Sequence, residues 1–230
     1  MREDIIDKIV KRDMTAFFGV RHVIDLESIF LFICMHYGTL IDMKTLCENL
    51  EIKRPTAQSY IEILEAAHLV TRLKPFGYGK DILRGKSKLY LNDASIAPAV
   101  LLKGKNILSD QQALGQCVET TLCKHLTKHM GAKKFLVSYW RSGKNHEVDF
   151  IASDGNRSIP FEVQYREQHT EKKDFLGLAE FFKEKNPDHG YIITKNSSDI
   201  GLTPWSKCIK IPAHLFCWWI GQNEISQFEI

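Results

Sequence analysis

HEVDFIASDGNRSIPFEVQYR, residues 146–166, decides the fold of the second half of this chain. Two short apolar-rich runs flank Ser153-Asp154-Gly155-Asn156-Arg157, and Asp-Gly or Gly-Asn between such runs is a strong hairpin signal. Two registers follow. With Gly155 and Asn156 at the turn centre, Asp149 faces Glu162. With Asp154 and Gly155 at the centre, Asp149 faces Pro160, and Glu162 is its diagonal neighbour. Strand side chains alternate with period two, so both registers put Asp149, Glu162 and Gln164 on one face.

Two like charges side by side are poorly tolerated in a sheet unless a cation lies between them. Mg²⁺ binds through one or two carboxylates together with phosphate oxygens. Asp149 and Glu162 are therefore the expected metal ligands, with Mg²⁺ as the expected cofactor of phosphodiester hydrolysis. A third acid, Glu119, heads the apolar stripe Glu119, Cys123, Leu126 and Met130 of a predicted helix. A carboxylate in that position needs a partner. It either joins the same pocket or pairs with a surface lysine or arginine.

Working outward, residues 111–130 read as a helix. Residues 135–141, 147–152 and 158–165 read as strands. A helix over 172–185 turns Phe175, Leu178 and Phe182 inward, and strands follow at 191–194 and 208–211 before an aromatic tail. The order is α-β-β-β-α-β. Upstream, Leu26, Ile29, Phe30, Ile33 and Tyr37 repeat at helical spacing, and Gly38 ends the run. A second helix covers 43–50. Pro55 opens a third, with Ala57, Ile61, Leu64 and Ala67 inward and Thr56, Gln58, Ser59 and Glu62 outward. Extended runs at 69–76 and 87–91 enclose a Gly-, Lys- and Arg-rich stretch. Three helices and a basic hairpin is the order of a winged helix-turn-helix. Lys53, Arg54, Thr56, Gln58 and Ser59 at the start of the third helix, with Lys80, Arg84, Lys86 and Lys88 of the hairpin, are the expected DNA contacts. A protein-packing role for the same module stands as the alternative. Residues 1–21 read as a short amphipathic helix with a narrow stripe of Ile5, Ile9 and Val10.

Composition narrows the classes. Of 230 residues, 44% are hydrophobic and 26% charged, ordinary for a globular protein, and the net charge of +3 leaves any DNA argument to local patches. The six cysteines form no CxxC pair and read as reduced, buried residues. His125 and His129, one helical turn apart, lack the HExxH pattern of a zinc site. The charged N-terminus is no signal peptide and no apolar run approaches a membrane span, so a cytoplasmic protein is expected. A P-loop reads GxxxxGK[ST]. Gly85-Lys86-Ser87 has Lys80 where the first glycine belongs, and Gly143-Lys144 is followed by Asn145. ATP binding is not expected in this chain.

RPTAQSYIEILEAAHLV, YLNDASIAPAVLLKG, ALGQCVETTLCKHL, YWRSGKNHEVDFI and IPFEVQYR resemble, in order, the C-terminal region of AAA+ ATPases that carry the DUF4143 domain. The resemblance runs over essentially the whole chain. It implies a mixed α/β fragment: a linker helix over 1–24 following an ATPase domain, a winged helix over 25–95, and a PD-(D/E)XK nuclease-like domain over 96–230. The nuclease motif falls on Glu119, Asp149 and Glu162. The family pattern resembles E-V-K, whereas this chain has Gln164 in the lysine's place. Glutamine orients water but brings no charge, and Lys144, Arg141 and Arg166 are the candidate substitutes. Two functions stand: a DNA-associated module with weak Mg²⁺-dependent nuclease activity, or a regulatory or docking module that binds DNA or protein without cutting.

Overall fold

The computed structural model describes residues 2–77, 79, 82, 85–166, 175–203 and 207–225. The chain is mixed α/β with two sheets and divides into two compact units. The first comprises Met1–Leu73 and Lys86–Thr121, the second Lys74–Gly85 and Leu122–Ile230. Among the described residues no helix is long and apolar enough to cross a membrane.

The first unit opens with a π-helical segment, Asp4–Asp13, that runs into α1 (Met14–Phe18). Ile5, Ile6, Val10 and Met14 are buried there, a wider stripe than the sequence suggested. This segment joins one core with α2 (Val23–His36), α3 (Met43–Leu50) and α4 (Arg54–Ala66). All five residues of the expected stripe on α2 are buried. Asp42 caps α3 by accepting the Lys44 N–H, which satisfies one of the amides a helix start leaves open. On α4, Ala57, Ile61 and Leu64 face inward as their spacing requires, joined by Tyr60.

A three-stranded sheet completes the first unit, with β1 (Leu40–Ile41) and β2 (Val70–Leu73) flanking the central β3 (Ser87–Leu91), all antiparallel. β1 has two residues, too few to show alternation, and it forms because the edge of β3 is open to Leu40 and Ile41. Leu89 and Leu91 enter the core. Lys88 and Tyr90, at the alternate positions, are equally buried. α5 (Ile96–Val100) buries Ile96, Ala97 and Val100 in the same core, so this unit continues past the boundary at 95 expected from the sequence. A 3₁₀ turn (Gly104–Ser109) leads into α6 (Gln111–Ala132), whose first half belongs to the first unit and second half to the second.

The second unit is built on a six-stranded sheet. β4 (Leu136–Arg141), β5 (Glu147–Ser153) and β6 (Ser158–Gln164) form an antiparallel meander. After α7 (Leu176–Lys185), β7 (Gly190–Thr194) returns parallel to β6, and β9 (Cys208–Pro212) lies parallel to β7. The two-residue β8 (Gly201–Leu202) pairs antiparallel at the edge, and α8 (Ala213–Ile225) follows. Phe175, Leu178 and Phe181 pack with Trp140, Val148, Ile151, Ile192 and Cys208. Phe182, expected inward, is partly buried against this core, and its neighbour Phe181 is fully buried in it. Phe161 stacks on its ladder partner Tyr191, and both rings meet Phe216 of α8.

Residues 74–76, expected as the end of a hairpin strand, belong to this second unit. Tyr139 N–H donates to the Lys74 carbonyl, Phe76 N–H donates to the Tyr139 carbonyl, and the Phe76 ring meets Phe181 edge-on.

Gly177 marks the tightest approach of helix to sheet. A Cβ built there would stand 1.9 Å from the Glu147 carbonyl oxygen, and backbone cannot yield as a flexible side chain can. Gly177→Ala is expected to destabilise the chain by about 1–3 kcal/mol or more, as overpacking does. Denaturant unfolding measures it, and an unchanged midpoint would contradict this packing.

Candidate functional site

The site starts from a turn. Asp154 Oδ1 accepts the amides of Asn156 and Arg157 at 3.0 and 2.8 Å, and Asp154 Oδ2 pairs with the Arg157 guanidinium at 2.9 Å. These bonds hold the Asp154 carboxyl at a pKa of about 2. Gly155 takes φ +93°, a conformation glycine adopts without strain. The turn closes on the pair Ser153 and Ser158, and the ladder continues through Ile151 opposite Pro160 to Phe150 opposite Phe161. Of the two registers, this is the one that places Asp149 opposite Glu162 one step beyond the last ladder pair.

On its other side β5 carries an irregularity. Ser138 opposes Ile151 and Trp140 opposes Val148, so β5 uses three steps where β4 uses two. The additional residue falls at Asp149–Phe150. A bulge re-aims a side chain and bends its strand. Asp149 Oδ2 accepts the Val163 N–H at 2.9 Å, so a carboxylate oxygen takes a β6 amide where the ladder stops. Glu162 and Gln164, both half-buried, stand beside Ile192 and Thr194 of the parallel neighbour β7.

Glu119 has other company. Its Oε1 accepts the Tyr90 hydroxyl and lies 3.8 Å from Lys88 Nζ, and all three residues belong to the first unit. Lys88 keeps only 3% of its side-chain surface, so it is a buried counter-ion and not an exposed hairpin cation. Gly38, at φ +75°, lies against this pair: a Cβ there would meet the Tyr90 ring at 3.4 Å and Glu119 Oε1 at 3.7 Å. Alternation on β3 explains the arrangement, because Leu89 and Leu91 take the core face and leave Lys88 and Tyr90 to the other.

Among the candidate substitutes for the missing lysine, Lys144 Nζ lies 3.5 Å from Glu180 of α7. Glu180 Oε2 also lies 3.2 Å from His146 Nδ1, and its carboxyl is held below the usual range, first by the Ser142 hydroxyl and then by His146 and Lys144. Arg141 is exposed and Arg166 half-buried. Lys53, Arg54, Gln58 and Ser59 are exposed at the start of α4, and Thr56 is half-buried. Lys86 pairs with Asp42 at 2.6 Å. Lys80 and Arg84 lie outside the described residues.

Among the described residues no group of three or more His, Cys, Asp or Glu side chains gathers as a metal site. What β5 and β6 offer is two carboxylates across a strand pair with an amide two residues further along. The bulge at Asp149 and the hydroxyl of Thr194 had no signal in the sequence, because both depend on which strands neighbour β5 and β6.

Residues 114–214 match the family model DUF4143. That is the domain named by the resemblance of the sequence motifs. Residues 1–106 match a second model, DUF8612, and both are described as domains of unknown function. No curated protein matches the chain. The DUF4143 span runs from α6 to the start of α8 and contains Glu119, Asp149, Glu162 and Gln164. The DUF8612 span contains α1 to α5 and the three-stranded sheet.

Glu119→Ala removes one partner of a buried pair. It is expected to cost roughly 3 kcal/mol, the low end for such a break, since Glu119 keeps 20% of its side-chain surface. Adding Lys88→Met should recover much of that loss. Equal stability of Glu119→Ala and the unmodified chain in denaturant unfolding would show that the pair contributes nothing.

Proposed function

We propose that this chain is a DNA-associated module. Its first part is a winged helix-turn-helix, and its second a PD-(D/E)XK nuclease-like domain with weak Mg²⁺-dependent phosphodiester hydrolysis at Asp149, Glu162 and Gln164. The observation that carries the reading is the placement of Asp149 and Glu162 on adjacent antiparallel strands, with β5 bulged at Asp149. The αβββαβ order and the sheet that turns from antiparallel to parallel at β6 support the nuclease-like fold. The sheet order β1-β3-β2, with α4 presenting Lys53, Arg54, Gln58 and Ser59, supports the winged helix.

Asp149 and Glu162 supply hard oxygen donors of the kind Mg²⁺ prefers, and they would hold it. Bound there, the metal would polarise a phosphate oxygen and acidify a water. The protein's own part is positional. The Val163 amide fixes the Asp149 carboxylate, and the Gln164 amide orients the attacking water. Glu119 serves the first unit through Tyr90 and Lys88. In this reading the module is cytoplasmic and follows an ATPase domain in a longer polypeptide, and ATP binds there.

A second reading, a docking module that binds DNA or protein without cutting, is favoured by two observations. Gln164 brings no charge, and Lys144 is engaged by Glu180.

Cleavage of linear duplex DNA tests the first reading. With Mg²⁺ or Mn²⁺ it is expected to be weak, to vanish in Asp149→Ala and to rise in Gln164→Lys. The rise is part of the about 10²–10³ that one transition-state donor contributes. Activity that survives Asp149→Ala belongs to another site. No cleavage by either the unmodified chain or Gln164→Lys would leave the docking reading.

Duplex binding tests the first unit separately. Each phosphate contact adds about −0.9 to the slope of log K against log salt. Lys53→Ala with Arg54→Ala should flatten that slope by roughly two. An unchanged slope would remove α4 from the DNA surface.

A further inference from the structure

The aromatic tail has no part in the site described above. α8 buries Phe216 and Ile220, and Phe216 meets Phe161 and Tyr191 of the sheet. Residues four apart share a helical face, so this is the inward one. The outward side carries His214, Trp218 and Gln222, again four apart and all exposed. Trp218 exposes 64% of its surface and its neighbour Trp219 exposes 42%. Folding normally covers most of a tryptophan, so two exposed indoles in succession mark an interaction surface.

The Trp219 ring lies 6.1 Å from His129, which sets the second half of α6 beside α8. Residues 122–134 hold Lys124, Lys128, Lys133 and Lys134 and no acid. Lys133 comes one helical turn after His129, and both Lys133 and Lys134 are exposed. α8 carries one acid, Glu224, more than a turn beyond Trp219. Phe161 and Glu162 are successive strand residues and point to opposite faces, so this surface lies across the sheet from the candidate acid site.

Charge and ring chemistry choose the occupant. Two indoles this exposed offer roughly 250 Å². A stable dimer needs about 800 Å² per partner, so a second copy of the chain is a poor fit. A membrane-surface helix needs a broad apolar face, whereas Trp218 stands between His214 and Gln222. Flat rings beside cations match a polyanion that has flat rings of its own. We propose that the α6–α8 face binds single-stranded DNA, with bases stacking on Trp218 and Trp219 and with Lys133 and Lys134 taking backbone phosphates. Every base has a face to stack, and a duplex hides those faces, so the surface reads strandedness and not sequence. The choice of DNA over RNA rests on the DNA reading above, and the stacking surface itself does not.

The test uses the full chain and a fluorescein-labelled oligo(dT), with binding followed by fluorescence anisotropy. Trp218→Ala should weaken binding by roughly 5- to 150-fold, the loss of one stacked base. Trp218→Phe keeps a flat ring and should retain most of the affinity. Lys133→Ala with Lys134→Ala should flatten the slope of log K against log salt by roughly 1.4, at about 0.7 per phosphate of a single strand. Trp218 is exposed, so its variants should keep the unfolding midpoint of the unmodified chain. Lys53→Ala with Arg54→Ala, the pair that tests the duplex surface, should leave the effect of Trp218→Ala unchanged. No oligo(dT) binding at low salt, or binding that Trp218→Ala leaves intact, overturns the proposal. So does tighter binding to oligo(U) than to oligo(dT), or Trp218-dependent binding to phosphatidylserine vesicles in place of oligo(dT). Binding that appears only once residues 226–230 are removed assigns the face to that segment and overturns it too. Trp218-dependent oligo(dT) binding by a chain that neither binds nor cuts duplex DNA upholds this surface and rejects the winged-helix and nuclease reading.

Discussion

Asp154 fixes where β5 turns into β6, and the rest of the candidate site inherits its geometry from that turn. Its carboxylate accepts two amides and pairs with Arg157, so the loop is four residues long and closes on Ser153 and Ser158. Strand side chains alternate, and a one-residue slip would send each side chain of β6 to the other face. The register carries Asp149 to Glu162 on one side. On the other it passes through β6 to β7 and sets Thr194 beside Gln164. A short surface turn thus determines the neighbours of four residues across three strands.

The sequence was most legible where long segments repeat at a fixed period. α2 and α4 came out with their buried faces and α3 with its span, because α2 and α4 repeat apolar residues over two or more turns and each of the three has a chemical start or stop: Gly38, Pro55 or Asp42. β3 and the β5–β6 hairpin were equally readable. Two-residue strands were not, since β1 and β8 exist only by pairing with β3 and β9. The first helical segment showed a stripe of Ile5, Ile9 and Val10, but its π-helical winding brings Ile6 inward and leaves Ile9 partly buried. The stretch after β2 looked like a strand of a basic hairpin. Its alternation could not reveal that Pro75 and Phe76 lie along β4.

Within the site, residue types were legible and partners were not. Glu119 heads an apolar stripe, which told correctly that its carboxylate needs a partner. Its charged partner is a lysine, as one of the two expectations had it, but that expectation took the lysine to be exposed at the surface. Lys88 is not, because the three-stranded sheet is buried on both faces at that strand. Burying an ammonium requires a close counter-charge. Tyr90, with its hydroxyl between the two, gives the Glu119 carboxylate a hydrogen bond that does not depend on the lysine. A basic residue in a strand that otherwise alternates Leu-x-Leu is therefore weak ground for a phosphate contact.

In the nuclease reading proposed above, glutamine at position 164 changes what the surrounding strands must supply. A lysine there would bring its own charge and would also offset the repulsion between Asp149 and Glu162. With glutamine, part of that role falls to the backbone, where the Val163 amide makes a charge-assisted bond to Asp149 at the point where the β5–β6 ladder ends. The bulge makes this possible, since a regular β5 would present a carbonyl to that amide in place of a side chain.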